Sequence, residues 1–431
     1  MATITTDGGR VIYSKKKEVH AAISEHLEPR FKTSNKAPIA QGQLLRDLGH
    51  LANTSAAKAI LRGEYDFPPG TDEATILTLR AAAKIYAKNK EVIDIILRHE
   101  DFLYWRTARE RTESSASRLH FGHTMAQAFS KRLTKLKLMQ LNIVLMIGMP
   151  LERWLHGITV MLEKERGNIN IEKLRAICLF EADFNWVLKV IYAKRMMANA
   201  RKHDLLEPET FAVAGSSAPD ATMAKIMFVD VNRLQHRNHA VASVDLGQCY
   251  DCVAHGFCSL ALQAFGVPMK AVSLMLLTLQ TMSFWLKTAF GKADTPFGGS
   301  HDDPYYGISQ GSGSAPPSYS AVSTVAVSAY KEKNFHPTLK SAITGCLVIL
   351  AAALFVDDTD LFLLARDDQT EDDFINHVQA AITFWGMIVL ATGGYLKQSK
   401  CQVGLTLFRF VNGEAKVKSA RLLPKFQFTI P

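Results

Sequence analysis

The alternation of apolar and polar positions divides the chain into helical and extended stretches. From about 18 to 110 the pattern is helical, with segments at 43–61 and 73–97 separated by the break Asp66-Phe67-Pro68-Pro69-Gly70. A Lys-rich helix is predicted over 124–147 and another over 183–202. Between them, 158–164, a turn at 165–168 and 174–180 read as a long hairpin. An apolar strand over 240–244 ends at Asp245 and leads into a helix. Residues 269–286 are helix-like, and the small-residue loop 307–317 precedes an apolar helix reaching Tyr330. The run 344–356 is rich in Val, Ile, Leu and Phe, and 361–364 resumes that pattern. The polar residues between, Asp357, Asp358, Thr359 and Asp360, predict strand, acidic turn, strand. Thr370 to Asp373 forms a capping box, and Phe374, Val378, Ile382, Trp385 and Val389 make a stripe ending at Gly393-Gly394. Residues 397–431 read as a further hairpin, and 1–17 as a polar, solvated terminus ending in Lys15-Lys16-Lys17. The expected class is α+β, without internal repeats or low-complexity tracts.

Composition narrows the partners more than the fold. A chain of 431 residues that is 48% hydrophobic buries a large core and is not globally disordered. A formal charge of +9 favours solubility and points mildly to a polyanionic partner. Six cysteines at irregular spacing give no disulfide framework. Without a secretion signal, this predicts an intracellular protein of nucleus or cytoplasm. The apolar stretches 271–286 and 345–356 fall short of the about 20 residues a membrane span needs, so no crossing is expected.

Two acidic positions carry the candidate chemistry. Adjacent carboxylates between apolar runs need compensation, although Asp-Asp also suits an ordinary β-turn. Asp245 is a second acidic strand end, or a helix N-cap. Lys164 and Arg175 lie on the two arms of the 158–180 hairpin, placed to hold a phosphate group or to remain solvated. The Gly-rich loop containing Gln310 and Gly311 permits close approach of backbone to a ligand. Cys249, Cys252, His255 and Cys258 cannot converge on one ion from a helix, and His120 and His123, in the segment 110–123, supply two ligands at most.

In this order, with Gly393-Gly394 and Leu396-Lys397-Gln398-Ser399-Lys400-Cys401 following, the motifs over about 110–425 resemble reverse transcriptases of non-viral retroelements. The resemblance implies right-hand polymerase fingers over 110–240 and a palm over 241–425, with an antiparallel sheet carrying helices on one face. Residues 1–109 would form a helical region of unknown role. Asp245 matches the first catalytic aspartate. Asp357 and Asp358 match the pair of the Tyr-x-Asp-Asp motif, with Phe355 for Tyr. Tyr250 matches the ring that excludes a ribose 2′-hydroxyl. Gln310, Gly311 and Pro316 match the Gln-Gly-x-x-x-Ser-Pro motif, with Ala315 replacing Ser. Leu174-Arg175-Ala176-Ile177 is similar to the fingers Arg-Pro-Ile, Lys164 falls at the phosphate-binding lysine, and Lys400 at the general acid for pyrophosphate.

The resemblance implies an RNA-directed DNA polymerase, a nucleotidyltransferase adding dNMP to a primer 3′-hydroxyl by two-metal phosphoryl transfer. Asp245, Asp357 and Asp358 would hold two Mg²⁺, with Mn²⁺ an alternative. The partners would be an RNA template, a DNA or RNA primer and dNTPs. The rivals are an RNA-dependent RNA polymerase, against which Tyr250 and the Gln-Gly loop argue, and a decayed or domesticated RNA-binding copy without synthesis, which the three intact aspartates disfavour. The family's thumb has no counterpart before Pro431, so the chain is expected to be a fragment or to bind duplex weakly on its own.

Overall fold

The computed structural model describes residues 2–6, 9–109, 116–300, 302–341, 344–419 and 428–431. The ends of the resemblance, 110–115 and 420–425, lie outside the described residues. Strands β1 (Ala2–Thr6) and β2 (Gly9–Tyr13) open the chain, followed by helices α1 (Lys16–Phe31), α2 (Gly42–Leu48), α3 (Ser55–Arg62), α4 (Glu73–Lys88), α5 (His99–Phe102), α6 (Phe121–Ala128) and α7 (Lys131–Ile147). Then come β3 (His156–Glu163), β4 (Leu174–Leu179), α8 (Ala182–Leu188), α9 (Met197–Lys202), α10 (Ala218–Leu234), β5 (His239–Asp245), α11 (His255–Ala264) and α12 (Met269–Thr281). The remainder is β6 (Ser283–Thr288), β7 (Gly291–Lys292), α13 (Ala315–Lys331), β8 (Thr338–Lys340), β9 (Leu347–Ile349), β10 (Ala352–Phe355), β11 (Asp358–Leu364), α14 (Glu371–Thr392), β12 (Gln402–Thr406), β13 (Phe408–Val411) and β14 (Glu414–Val417).

This is an α+β arrangement of several small sheets. The central one runs β10-β11-β5-β12, antiparallel throughout. Because side chains alternate across a strand, Ala240, Ala242 and Val244 of β5 enter the main core with Leu361 and Leu363, while Val241 joins a second cluster on the opposite face. Helices α11, α13 and α14 belong to the main core, and α4 packs on all three. The helical region before residue 110 thus shares one continuous core with the central sheet. Helix α14 begins at the capping box formed by Thr370 and Asp373 and stops at Gly393 (φ 105), where a Cβ would lie 2.4 Å from the Ala254 nitrogen. It is long and apolar enough to cross a membrane, but more than half of its apolar window is buried inside the fold. That segment was not among the apolar stretches weighed from sequence.

A second sheet, β4-β3-β6-β7, contains the expected 158–180 hairpin, and β6 pairs in parallel with β3. Here the structure corrects the sequence reading: the helix over 269–286 ends at Thr281, and Ser283–Thr288, aromatic-rich and β-prone, is a strand. The terminus at 1–17 is likewise not simply solvated. Its first residues form the β1–β2 hairpin, with Ala2 and Thr3 buried and the Thr3 N–H donating to the Ile169 carbonyl at 3.0 Å. Helix α4 ends at Lys88 rather than 97, and 89–97 runs extended, with the Ile93 N–H bonded to the Gly266 carbonyl. The Lys-rich helix is broken at Ser130, which caps α7. Residues 183–202 are helical as expected, with a π-helical stretch, Lys189–Met196, between α8 and α9. The run 344–356 is not one strand: Leu347–Ile349 pairs with β8 as a separate, exposed hairpin before β10 begins. After residue 397, β12 joins the central sheet and only β13–β14 is the hairpin.

The second cluster fixes α10 against the other face of the central sheet. Phe228 is fully buried, with its ring centroid 4.9 Å from that of Phe362. Phe228→Ala removes this anchor at a cost of about 3–5 kcal/mol. The expected result is a lower thermal midpoint with faster amide exchange along α10 than along α14; equal protection of the two helices would show that this cluster does not hold α10.

Candidate active site

Strand register brings the acidic positions together. Asp245, the last residue of β5, lies directly opposite Asp358, the first of β11, and two residues further along the same face Ser243 lies opposite Asp360. The sequence reading placed Asp358 to Asp360 in the turn. The structure shortens it to Val356-Asp357, because Phe355 and Asp358 are already paired. Val356 adopts φ 60, a conformation a β-branched side chain rarely takes. A two-residue hairpin turn needs φ > 0 at its first position, so the valine holds local strain at the tip that carries Asp357. Asp245 does not cap a helix either, since 247–252 is a series of turns and α11 begins only at His255.

The segment after α14 supplies the counter-charge. The Lys397 N–H donates to the Asp245 carbonyl at 2.8 Å and the Gly247 N–H to the Tyr395 carbonyl at 2.9 Å. Gly247 is required here because a Cβ would overlap the Tyr395 ring at 2.2 Å. So anchored, Lys400 places its Nζ 2.8 Å from Asp245 Oδ2. Its hydrogen bond to Asp245, followed by the charges of Asp245, Asp357 and Asp358, raises the ammonium pKa above its ordinary value. For Asp358, burial and then the neighbouring Asp357 and Asp245 carboxylates push the pKa up. Three carboxylates and one ammonium thus share one electrostatic neighbourhood. The Asp357 charge also acts on Tyr250 and Tyr319, whose rings meet edge to face at 5.7 Å.

A group of cations shares an electrostatic neighbourhood with Lys400. Burial, then Arg30, Lys397, Arg175 and Lys400, lowers the pKa of Lys164. Lys164, Arg175 and Lys397 have no carboxylate partner among the described residues. Several like charges held together are stabilised by a polyanion and repel one another without it. Lys164 and Arg175 were expected here. Arg30 and Lys397 were not assigned: Lys397 sits in the quoted motif beside Lys400, whereas nothing in the sequence around Arg30 marks it.

The loop after 307 closes another side. Gln310 accepts the Cys178 N–H at its carbonyl (2.8 Å), and Gly311 (φ 113) crosses β4 so closely that a Cβ would lie 2.3 Å from the Cys178 oxygen. Tyr250 and Gly311 line a cavity of about 730 Å³ together with Trp105, Trp186, Lys189 and Pro316. A second cavity, about 550 Å³, lies between α10 and the carboxylates and is lined by Lys225, Ser243, Asp245, Asp358, Asp360 and Lys400. Cys249, Cys252, His255 and Cys258 do not converge; His255 instead bonds the Gly307 carbonyl at 2.7 Å. His120 bonds the Gly122 N–H, capping α6.

No group of three or more His, Cys, Asp or Glu side chains is close enough to cage an ion among the described residues. The donors still suit a hard divalent cation, because Mg²⁺ typically takes one or two carboxylates and completes its shell with water and substrate phosphates. Asp245 with Asp357 or Asp358 offers oxygen donors alone, at a point of excess negative charge. No protein-family model matches this chain, and no curated protein does.

The raised pKa of Asp358 has a definite sign in stability. Between the unfolded and the higher folded value the native state binds more protons, so stability falls as pH rises through that window. Without divalent metal, Asp358→Asn should melt on the order of 1 °C higher than wild type at pH 7. The difference should vanish as pH falls below the unfolded carboxylate value. Thermal melts across pH 3–8 in EDTA test this, and a difference independent of pH would remove repulsion as the cause.

Proposed function

We propose that the chain is a reverse-transcriptase domain, an RNA-directed DNA polymerase whose central sheet is the palm and whose β3–β4 hairpin belongs to the fingers. The observation that carries the reading is the cross-strand pair of Asp245 and Asp358, with Asp357 at the adjoining tip and Lys400 on Asp245, within electrostatic reach of Lys164 and its neighbours Arg175 and Lys397. Carboxylates beside a cation cluster are what nucleotide addition needs: acidic residues where a 3′-hydroxyl is activated, and cations where a triphosphate is held.

Asp245 and Asp357, with Asp358, would hold two Mg²⁺, which when bound lower the pKa of the primer hydroxyl and neutralise charge on the phosphates. The side chains do the rest. Lys164 and Arg175 orient the triphosphate, so that the phosphoryl group lies in line with the attacking oxygen. Lys400, kept protonated by its carboxylate neighbours, is placed to give a proton to departing pyrophosphate. Tyr250, beside Gly311, presents its ring where the nucleotide sugar would lie and rejects a 2′-hydroxyl by volume. The aromatic and basic lining of the larger cavity suits unpaired template bases. The products are DNA extended by one nucleotide and pyrophosphate.

Primer extension on a homopolymeric RNA template with Mg²⁺ tests the reading. Asp357→Asn should lower extension by at least about 10³-fold, consistent with loss of a group stabilising phosphoryl transfer, while the protein stays folded. Extension at near wild-type rate would show that this carboxylate is not used, and wild-type binding of RNA without any extension would favour an RNA-binding protein instead.

A second substitution addresses the product. Tyr250→Val should keep most deoxynucleotide addition and gain ribonucleotide incorporation about tenfold or more, since relief of a clash is worth roughly 1–3 kcal/mol. An unchanged substrate ratio with a lowered melting temperature would assign Tyr250 to the core alone.

A further inference from the structure

Asp251 is a carboxylate that the chemistry above does not use, and its side chain is only 4% exposed. Its partner comes from the N-terminal region: Arg30, in the last turn of α1, places Nη2 2.5 Å from Asp251 Oδ2 with its own side chain 11% exposed. The pair lies between two stretches of backbone that lead to the proposed sugar site. On one side, the Ile308 N–H donates to the Tyr250 carbonyl at 2.7 Å and the Gly307 N–H to the Val253 carbonyl at 3.0 Å. Burial pushes the Asp251 pKa up, while the Arg30 charge and the Gln310 backbone pull it down. On the other side, the Phe31 carbonyl accepts the Tyr306 N–H at 2.9 Å. Gly307 (φ 91) rests so tightly on Asp251 that a Cβ would lie 2.7 Å from its backbone.

Both stretches carry a non-glycine residue in the left-handed region, Gln248 at φ 55 and Ser309 at φ 58. Such conformations persist only where the surroundings over-determine them. A buried ion pair whose carboxylate belongs to one stretch, with Gly307 of the other packed on that residue's backbone, supplies that determination. The Arg30 Nε is buried with no hydrogen-bond partner, so the Asp251 carboxylate is the main compensation for this guanidinium.

We propose that Arg30 is a positioning residue: through Asp251 it fixes the separation of the Tyr250 ring from the Gln310-Gly311 loop, making α1 part of the nucleotide-sugar site. The substrate half of this statement rests on the polymerase reading; the coupling of α1 to the loop does not. Without Arg30 the uncompensated Asp251 charge would seek water and drag its turn with it. Replacing both partners, as in Arg30→Met/Asp251→Asn, removes the charge while keeping a polar side chain of the same size at 251. That variant therefore separates loss of the tether from failure to fold.

Hydrogen exchange on the full-length chain reads the coupling without any catalysis. In Arg30→Met, or in the double variant should the single one not fold, the amides of Ile308 and Gln310 are expected to exchange at least tenfold faster, with α14 unchanged. Unchanged protection at both amides would overturn the proposal, whatever the enzyme does. Extension from an oligo(dT) primer on poly(rA) reads the consequence. The same variant should lose at least tenfold in dTTP over UTP discrimination. Added to Tyr250→Val it should lose less than a further twofold, because both substitutions disturb one gate. Full additivity would assign Arg30 a purely structural role. If wild type extends no primer at all, the polymerase reading fails while the exchange result still decides the coupling.

Discussion

Asp245 and Asp358 face each other across the pair β5–β11, and much of the surrounding architecture follows from that concentration of like charge. Opposite positions on antiparallel strands bring Cβ atoms to about 5 Å, where two carboxylates destabilise the pairing. The fold retains the arrangement by surrounding it. The apolar alternation of β5 and β11 commits one face of both strands to the main core. Once that face is buried, a register slip of one residue in β11 would move Leu361 and Leu363 out of the main core to the opposite face. Hydrophobic burial thus holds in place a pair that electrostatics alone would separate.

Compensation then arrives from sequence-distant segments. The chain after α14 is tied to the Asp245 strand by two backbone hydrogen bonds, so Lys400 reaches Asp245 without independent ordering. Lys164 and Arg175 enter from the second sheet and Arg30 from α1, and their mutual repulsion mirrors that of the carboxylates. Two clusters of like charge, each individually unfavourable, thus stand close together, and stability is given up locally where they do.

How much of this was legible depends on whether the signal was local. The 158–180 hairpin, the capping box at Thr370, the stop at Gly393 and the acidic strand ends are encoded in contiguous residues, and they stand where the pattern placed them. Lys164, Arg175, Tyr250, Gln310 and Gly311 were assigned by motif order; in the structure Tyr250 and Gly311 line one cavity, and Lys164 shares an electrostatic neighbourhood with Arg175 and Lys400. What failed was non-local. Ser283–Thr288 follows a helix without a strong breaker, and only pairing with β3 makes it a strand. The β1–β2 hairpin is a short run of threonines stabilised by contact with Ile169. Arg30 could not be found at all, because an arginine near a helix end is ordinarily solvated and only tertiary structure places this one against Asp251.

The two faces of the central sheet also constrain how the carboxylates can be reached. The main core fills one face. On the other, Phe228 of α10 covers the end of the sheet formed by Val241, Ala353 and Phe362, and Lys225 closes over Ser243 and Asp360. Only the end bearing Asp245 and Asp358 is left open, bordered by Lys400 and the shallow cavity beside α10. The carboxylates are therefore reached along that rim, not across the sheet, with Lys225 on the wall of the same cavity. The ion pair of Lys225 with Asp360 is partly exposed and weak in itself. Its ammonium can thus leave Asp360 at little cost, and α10 lines the cavity as well as packing on the sheet.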